Sequence, residues 1–378
     1  MKISIICFGK FHAFDLAREL KANSSIVSLY SSYPYFISKN YNIKFSEHYS
    51  FFFLQVIDRL TFRKISIFLK FIFAKTLTFL IRSDQDFIIL WSDTPNFLIK
   101  FLKRNYKSIL ILERGSAHIK FQNRLLNEEY KKINSDFSIS NKVILNEIKN
   151  YDDSDYISIP SKFVMDSFLK YNVPREKLII NSYGADLSKF YKIKTKSNQK
   201  FTFLTCGHAS VQKGFHKVLN SHKHINEDFI HVHVGTVEGI FKDKLKNYKN
   251  LIVYQSVNQI ELVRYYNMAD VFILSSIQDG FGMVLLESMA CGTPIIASKF
   301  TGATSINSSK IFGHILNINN SREISKTLNY LMRNPDKLNI MSENCQKIIT
   351  EGGYSWDDYG KRYNQNIIKF IKKYSEKS

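Results

Sequence analysis

Asp279-Gly280-Phe281-Gly282-Met283-Val284-Leu285-Leu286-Glu287-Ser288-Met289-Ala290-Cys291-Gly292-Thr293-Pro294 lies just after the apolar run Asp270-Val271-Phe272-Ile273-Leu274. That run has strand length and is bounded by Ser275 and Ser276, which predicts a buried strand. Two glycines then open a helix whose expected apolar face is Met283, Leu286, Met289 and Ala290. Gly292 ends this helix and Pro294 blocks its continuation. A strand, a glycine turn and a helix N-terminus together make an anion site, because free N–H groups and the positive end of the helix dipole converge there. Two carboxylates, Asp279 and Glu287, bracket the turn.

Working outward, the same alternation fills the chain. In the first half, strand candidates are Ile3 to Phe8, Ile26 to Tyr30, Phe87 to Trp91, Ile109 to Leu112, Tyr156 to Ser161 and Leu178 to Ile180. Helices are expected over His12 to Ala22 and Lys162 to Tyr171. The lysine-rich stretch Lys192 to Lys200 is the best linker candidate. The second half restarts with Phe201 to Thr205, Ile230 to Val234, Leu251 to Tyr254, Val271 to Leu274 and Pro294 to Ala297. Strands alternating with helices argue for parallel sheets. At 378 residues there is room for two domains. The fold class is therefore α/β, with two Rossmann-like doubly wound parallel-sheet domains facing a cleft.

The Asp279–Pro294 segment resembles the nucleotide-sugar site of retaining glycosyltransferases of family 4 (glycosyl transferases group 1), which have the GT-B fold. Their signature places two acidic residues, separated by seven others, around Gly-Phe-Gly, followed by Glu-Ala-Met-Ala-Cys-Gly-Thr-Pro. Here Asp279 stands where that family usually has Glu, and Ser288 where it usually has Ala. The resemblance implies an acceptor-side domain over residues 1–190 and a nucleotide-sugar-binding domain over 195–355. It also implies that the C-terminal helix, about 356–378, packs back on the first domain. The start Ser355-Trp356 of that helix fits the family; a helix lying on the second domain is the other reading.

The resemblance extends to three loops. Gly207-His208-Ala209-Ser210-Val211-Gln212-Lys213-Gly214 follows the first strand of the second half. The family has a basic Gly-Arg and Lys-Gly loop here that neutralises the donor diphosphate. Such charge is wanted where a nucleoside diphosphate leaves. Lys213 is in place, while His208 puts a titratable group where Arg is frequent. Glu113-Arg114-Gly115-Ser116-Ala117-His118 follows a first-half strand, where parallel sheets place ligand groups. The resemblance implies that His118 lies near the transferred sugar, with Arg114 as a nearby cation; a capping or packing histidine is the bland alternative. Gly9-Lys10-Phe11-His12 matches a glycine-rich loop only in part. Gly9 permits close backbone approach, and His12 either reaches the acceptor or caps its helix.

The implied catalytic set is His118, Lys213, Asp279 and Glu287. The implied donor-binding set is Gly9, His208, Lys213, Gly280, Phe281, Gly282, Met283, Val284 and Glu287. Ser161, the turn Tyr183-Gly184-Ala185-Asp186 and Thr301-Gly302-Ala303 are expected at the hinge or along the cleft. Glu261 and Arg264 carry no assignment. No metal and no cofactor is expected beyond the nucleoside diphosphate sugar itself. His231 and His233 share a strand face without an adjoining carboxylate or cysteine cluster. No G-x-S-x-G elbow occurs, which argues against a serine hydrolase.

The net charge of +20 is the compositional outlier. It implies an anionic partner such as lipid headgroups or phosphorylated substrates, and there is no nucleic-acid motif. An AT-rich codon bias is the bland account of the many lysines. Four widely spaced cysteines, Cys7, Cys206, Cys291 and Cys345, fit a reducing compartment. Met1-Lys2 leads straight into Ile3-Ser4-Ile5-Ile6, so no secretory leader is expected. No uncharged apolar stretch is long enough for a transmembrane helix.

Residues 51–82 carry six basic residues (Arg59, Arg63, Lys64, Lys70, Lys75, Arg82), one acid (Asp58) and eight phenylalanines. Ile65, Phe68, Leu69, Ile72, Phe73, Phe79 and Leu80 recur at helical spacing, with Phe71 and Ile67 among the lysines opposite. Such a helix lies in a membrane interface, packs on the first sheet, or does both.

The resemblance implies a metal-independent hexosyltransferase. Its expected reaction moves a sugar from a nucleoside diphosphate sugar to a glycan or lipid-linked glycan, with retention at the anomeric carbon. Bacterial surface polysaccharide assembly (lipopolysaccharide O-antigen or capsule) is the expected setting. The expected location is cytoplasmic, peripherally on the inner face of an anionic cell membrane. A nucleotide-sugar epimerase on the same fold and a catalytically weak binding subunit remain open alternatives.

Overall fold

In the computed structural model, described over residues 1–193, 200–306, 309, 311–317 and 320–375, the chain forms two parallel sheets. The first contains β1 (Lys2–Cys7), β2 (Ile26–Ser31), β3 (His48–Ser50), β4 (Phe87–Trp91), β5 (Ile109–Glu113), β6 (Tyr156–Ile159) and β7 (Leu178–Ile180). Its order is β3-β2-β1-β4-β5-β6-β7. The second contains β8 (Phe201–Cys206), β9 (Phe229–Val234), β10 (Leu251–Tyr254), β11 (Val271–Leu274), β12 (Ile295–Ser298) and β13 (Gly313–Leu316), in the order β10-β9-β8-β11-β12-β13. Both are Rossmann-like, and each reverses direction between its first and fourth strands. At such a switch point the loops at the carboxyl edge part and leave a crevice.

The central strands explain why the sequence folds this way. β4 (FIILW), β5 (ILILE) and β11 (VFIL) are buried along their whole length. Covered on both faces, they read as continuous apolar runs, without alternation. Each such side chain contributes about 1.5–3 kcal/mol on burial. Register is in step across the first sheet, with Ile5 opposite Leu29 on one side and Ile89 on the other.

Most of the expected strands form where the apolar runs lie. β3 and β13, short and partly polar, were not anticipated. Of the expected linker, residues 194–199 lie outside the described residues. Within the described part, Lys192 packs its stem close to Gly292 and holds Ser342 Oγ at 3.2 Å.

The segment 51–82 forms two helices, Phe52–Leu60 and Ser66–Leu80. The turn between them carries Phe62 and Arg63 at φ 48° and 61°. Leu69, Phe73, Ala74 and Leu77 face inward, while Phe68 and Phe79 of the expected inner stripe are exposed. The second helix is apolar almost all round, so spacing alone did not select the buried face. Among the described residues no helix is long and apolar enough to cross a membrane.

The last helix, Trp356–Ser375, lies against the helix Ala13–Ala22 of the first domain. Tyr363 Oη donates to Glu113 Oε1 at 2.6 Å, and Phe370 stacks on Tyr156 with ring centres 3.9 Å apart. Where the chain crosses back, the Ala185 N–H donates to the Tyr354 carbonyl at 2.8 Å. A Cβ on Gly184 would lie 2.4 Å from the Ser355 backbone. Gly360 is the tightest point of the helix crossing, since a Cβ there would lie 2.3 Å from Glu19 Cβ. Gly360→Val should therefore cost about 1–3 kcal/mol, the scale of overpacking. Urea unfolding followed by circular dichroism checks this, with the first transition moving to lower denaturant.

Candidate active site

The site is assembled from loops at the carboxyl edges of both sheets. In the second domain, β11 runs through Ser275–Gln278 into the turn Asp279–Gly282. Gly282 caps the helix Met283–Ala290 with φ 79°, a left-handed conformation that favours glycine. The loop after β12 braces this turn. The Asp279 N–H donates to the Phe300 carbonyl at 3.0 Å, and the Gly302 N–H donates to the Phe281 carbonyl at 2.8 Å. The first turn of the helix leaves its N–H groups without intrahelical partners. Met283, expected in the buried face, is 40% exposed; Leu285 is buried in its stead.

The loop after β8 lies on the loop after β11. Gly214 has φ 68°, and a Cβ there would sit 1.9 Å from the Ser275 carbonyl oxygen. That contact fixes Lys213, whose Nζ lies 2.5 Å from Asp279 Oδ2. Burial opposes the Lys213 charge, but the facing Asp279 carboxylate outweighs it and holds the ammonium above the usual lysine value. Glu287 points back from the helix and accepts from Tyr266 Oη at 3.0 Å. Burial pushes its carboxyl up to about 7, against the pull of that hydrogen bond. His208 is exposed on the same loop and pairs through Nδ1 with Thr236 Oγ1 at 2.8 Å. Lys213, Asp279, Glu287 and the Gly280–Val284 backbone thus share one corner of the second domain.

The first domain closes on this corner. A Cβ on Gly280 would lie 1.8 Å from the Gly115 carbonyl oxygen, so the two backbones touch. Ser161 Oγ donates to the Gly280 carbonyl at 2.6 Å, and the Ala117 N–H donates to Gln278 Oε1 at 3.1 Å. Phe281 is buried and meets Tyr183 edge-on at 5.7 Å. Phe281 therefore packs between the domains, and only its backbone faces the turn.

Three expectations change. His118 is 3% exposed, stacked on Tyr171 at 4.4 Å and flanked by Tyr151 and Phe168. Its Nδ1 accepts from the Lys120 N–H at 3.3 Å, a helix cap, and burial lowers its pKa to about 4. The ring is neutral, packed inside the first domain and not brought to the Lys213–Asp279 corner. Arg114 is likewise internal. It donates to Glu147 Oε1 at 2.9 Å and to the Ala117 carbonyl at 2.9 Å, tying down the loop that meets Gly280. His12 neither caps its helix nor opens to solvent; its Nε2 faces Glu113 Oε2 at 3.2 Å.

Gly9 has φ 139° and borders a cavity with Lys10, Lys70 and Asp93. Glu261 and Arg264 are exposed on the helix Gln259–Met268. His231 and His233 both hydrogen-bond Thr205 Oγ1, at 2.8 and 3.0 Å, within the second domain.

Two participants were not foreseen. Gln278 is fully buried and bridges the domains, and its Nε2 has no hydrogen-bond partner. Glu129 of the first domain is 4% exposed and faces His216 Nε2 at 2.8 Å and Lys217 Nζ at 2.5 Å, both from the second. Neither lies in a glycine-rich or acidic motif, so only the folded chain reveals them.

Residues 188–348 match the family model described as glycosyl transferases group 1. The chain is 27% identical over 292 residues to an uncharacterized glycosyltransferase, MJ1069, of Methanocaldococcus jannaschii, covering 73% of this chain and 71% of that protein. It is 28% identical over 200 residues to the UDP-Gal:alpha-D-GlcNAc-diphosphoundecaprenol alpha-1,3-galactosyltransferase of Escherichia coli. That match covers 47% of this chain and spans half the length of the enzyme, 50%. Anabaena Alr3699/HepE, solved in complex with UDP and glucose, is similar in fold. Its TM-score is 0.69 over 98% of this chain and 100% of that one, at 13% identity.

The Glu287 shift has a stability consequence. Its folded-state pKa, about 7, is raised above the ordinary 4.5. The stability it contributes is full below about 4.5 and is lost as pH rises through about 7. Glu287→Gln removes the ionisation while keeping the shape. The variant should therefore be more stable than wild type at pH 8, on the order of 2 kcal/mol, with the gap closing towards pH 5. Thermal melts across that range check it.

Proposed function

We propose that the chain is a retaining, metal-independent hexosyltransferase of family 4 with the GT-B fold, a reading supported by the match of residues 188–348 to glycosyl transferases group 1, by the likeness to the Methanocaldococcus jannaschii glycosyltransferase and by the two Rossmann-like sheets. Its donor is a nucleoside diphosphate sugar and its acceptor a glycan or lipid-linked glycan. The observation that carries this reading is the Lys213–Asp279 pair. It stands beside the N-terminus of the helix Met283–Ala290, where the two domains touch through Gly115 and Gly280.

The donor diphosphate takes the place of Asp279 as the partner of Lys213. Lys213 and the N–H groups of Gly282, Met283 and Val284 then stabilise the charge that builds as the diphosphate leaves. Asp279, released from the lysine, accepts hydrogen bonds from hydroxyls of the transferred sugar. Glu287 accepts from the ribose hydroxyls, a charge-assisted contact that strengthens when its carboxyl is ionised. The acceptor hydroxyl attacks on the face from which the diphosphate departs, so configuration is retained. Gly9 lets the first-domain loop approach closely, and His208 lies at the outer edge of the donor loop. His118 and Arg114 are positioning residues: they hold the Gly115–Ala117 backbone against Gln278 and Gly280.

The setting we propose is assembly of bacterial surface polysaccharide, on the cytoplasmic face of an anionic membrane. The turn between the helices Phe52–Leu60 and Ser66–Leu80 supports it. Leu60, Phe62 and Ile67 are 73%, 85% and 72% exposed, beside Arg63 and Lys64. Such apolar tips among cations suit an anionic interface. The 28% identical Escherichia coli enzyme, by its name, acts on a diphosphoundecaprenol-linked sugar, which favours a lipid-linked acceptor.

Lys213→Ala should lower turnover by about a hundredfold, the scale of losing one preorganised charge donor. Thermal shift with UDP-, GDP- and ADP-sugars identifies the donor, and nuclear magnetic resonance of the product reads its anomeric configuration. An inverted product overturns the retaining assignment, and wild-type turnover in the folded variant overturns the role of Lys213.

Vesicle sedimentation tests the setting. The protein should pellet with anionic vesicles at low salt and release at high salt, whereas a soluble fraction unchanged by vesicles at low salt refutes membrane attachment.

A further inference from the structure

Two cavities of the first domain share a wall. One, of about 310 Å³, lies at the carboxyl end of β1 against Gly9. Lys10, Arg63 and Lys70 line it, together with Asp58 and Asp93. The other, of about 730 Å³, is apolar and lined by Tyr33, Tyr35, Phe36, Phe45, Phe52 and Val56. Tyr33 and Gln55 border both.

The polar cavity is built for a charged, hydroxylated group. Three cations face two carboxylates there, and Lys70 Nζ lies 2.6 Å from Asp93 Oδ2. Asp58 is 4% exposed, and its Oδ1 has no hydrogen-bond partner. An acceptor oxygen left unpaired in the interior is costly, and a ligand hydroxyl donating to it removes that cost. The cation excess favours a phosphate on the same ligand.

The apolar cavity offers aromatic and aliphatic walls, with Arg59 as its one charged lining residue. Phe36 and Phe45 at its border are largely exposed, so it opens onto apolar surface. Whatever fills both compartments has an anionic, hydroxylated head and a hydrocarbon tail. The head would lie at the edge of the first sheet where Gly115 meets Gly280, the edge that faces the donor corner.

We propose that the paired cavities form the acceptor site and that the acceptor is an amphiphile, a glycosyl phosphate or diphosphate esterified to a hydrocarbon chain. Its phosphate sits by Lys10, Arg63 and Lys70, a sugar hydroxyl donates to Asp58, and the first part of the chain enters the Tyr35–Val56 cavity. This rests on the glycosyltransferase reading above and adds to it the cavity that takes each part of the acceptor and the residues that hold its phosphate, its sugar and its chain.

The test is titration calorimetry of the full chain with methyl, hexyl and dodecyl phosphate, each below its micelle concentration. Dodecyl phosphate should bind more than about a hundredfold tighter than methyl phosphate, since buried methylenes add affinity. Val56→Trp, which fills the apolar cavity, should abolish most of that gain and leave methyl phosphate binding unchanged. Lys70→Ala should weaken all three by a similar factor of about ten. Phe36→Arg, on exposed surface, repeats the tail arm if the tryptophan variant fails to fold.

Affinity independent of chain length, or an undiminished chain-length gain in both tail variants, overturns the proposal. Methyl phosphate binding as tightly as dodecyl phosphate marks the polar cavity as a free-phosphate site. A thermal shift with UDP-glucose on the same protein separates the two failures. If that shift is present while the chain-length effect is absent, the tail cavity is refuted and the glycosyltransferase reading stands. Absence of a shift with every nucleotide sugar counts against the donor reading instead.

Discussion

The architecture depends on one backbone contact, Gly280 against the Gly115 carbonyl. No side chain fits between them, since a Cβ on Gly280 would stand 1.8 Å from that oxygen. Everything around the contact serves to aim it. Arg114 fixes the Ala117 carbonyl, Ser161 takes the Gly280 carbonyl, and Gln278 accepts from Ala117. Tyr183 and Phe281 fill the space beside it. A contact made of backbone leaves little tolerance for misplacement, which suits a site whose two halves come from different domains.

Two charge clusters near that contact are built differently. Lys213 and Asp279 neutralise one another at a site partly open to solvent, so the diphosphate we propose as ligand would meet a cation that is already in place. In the other cluster, Glu129 is closed off from solvent and bonded to His216, Lys132 and Lys217. Those hydrogen bonds overcome the burial penalty and hold its carboxyl far below the usual range. Removing one partner there would strand a buried charge, which costs several kcal/mol. The half-open pair is the one a ligand can reach, and the closed cluster joins the two domains.

The corner that gathers Lys213, Asp279 and Glu287 was legible in the sequence because its elements are local. Strand β11, the glycine turn, the helix and the two acids fall within one short stretch, and Lys213-Gly214 stands next to a recognisable strand end. Strands β4, β5 and β11 were equally plain, since full burial makes them nearly unbroken apolar runs. What could not be read depends on contacts between distant parts of the chain. His118 has the same local sequence whether it faces a sugar or stacks on Tyr171. Arg114 reads as a free cation until Glu147 arrives, and His12 reads as a cap until Glu113 does. The helix Ser66–Leu80 carries apolar residues on every side, and only its packing on the first sheet decides that Leu69, Phe73 and Leu77 turn inward.

That last ambiguity is also the chemistry of the first domain's surface. A helix with apolar residues on nearly every side leaves an exposed apolar face, the kind of surface that marks an interaction site. Here the outer side carries Ile67, Phe68 and Phe71, each at least half exposed. Basic residues, not acids, punctuate it, so the repulsion that would keep an anionic bilayer away is absent. The feature that blurred the sequence pattern is the one a lipid-facing surface needs: apolar residues on both sides, one set for the sheet and one for what lies outside.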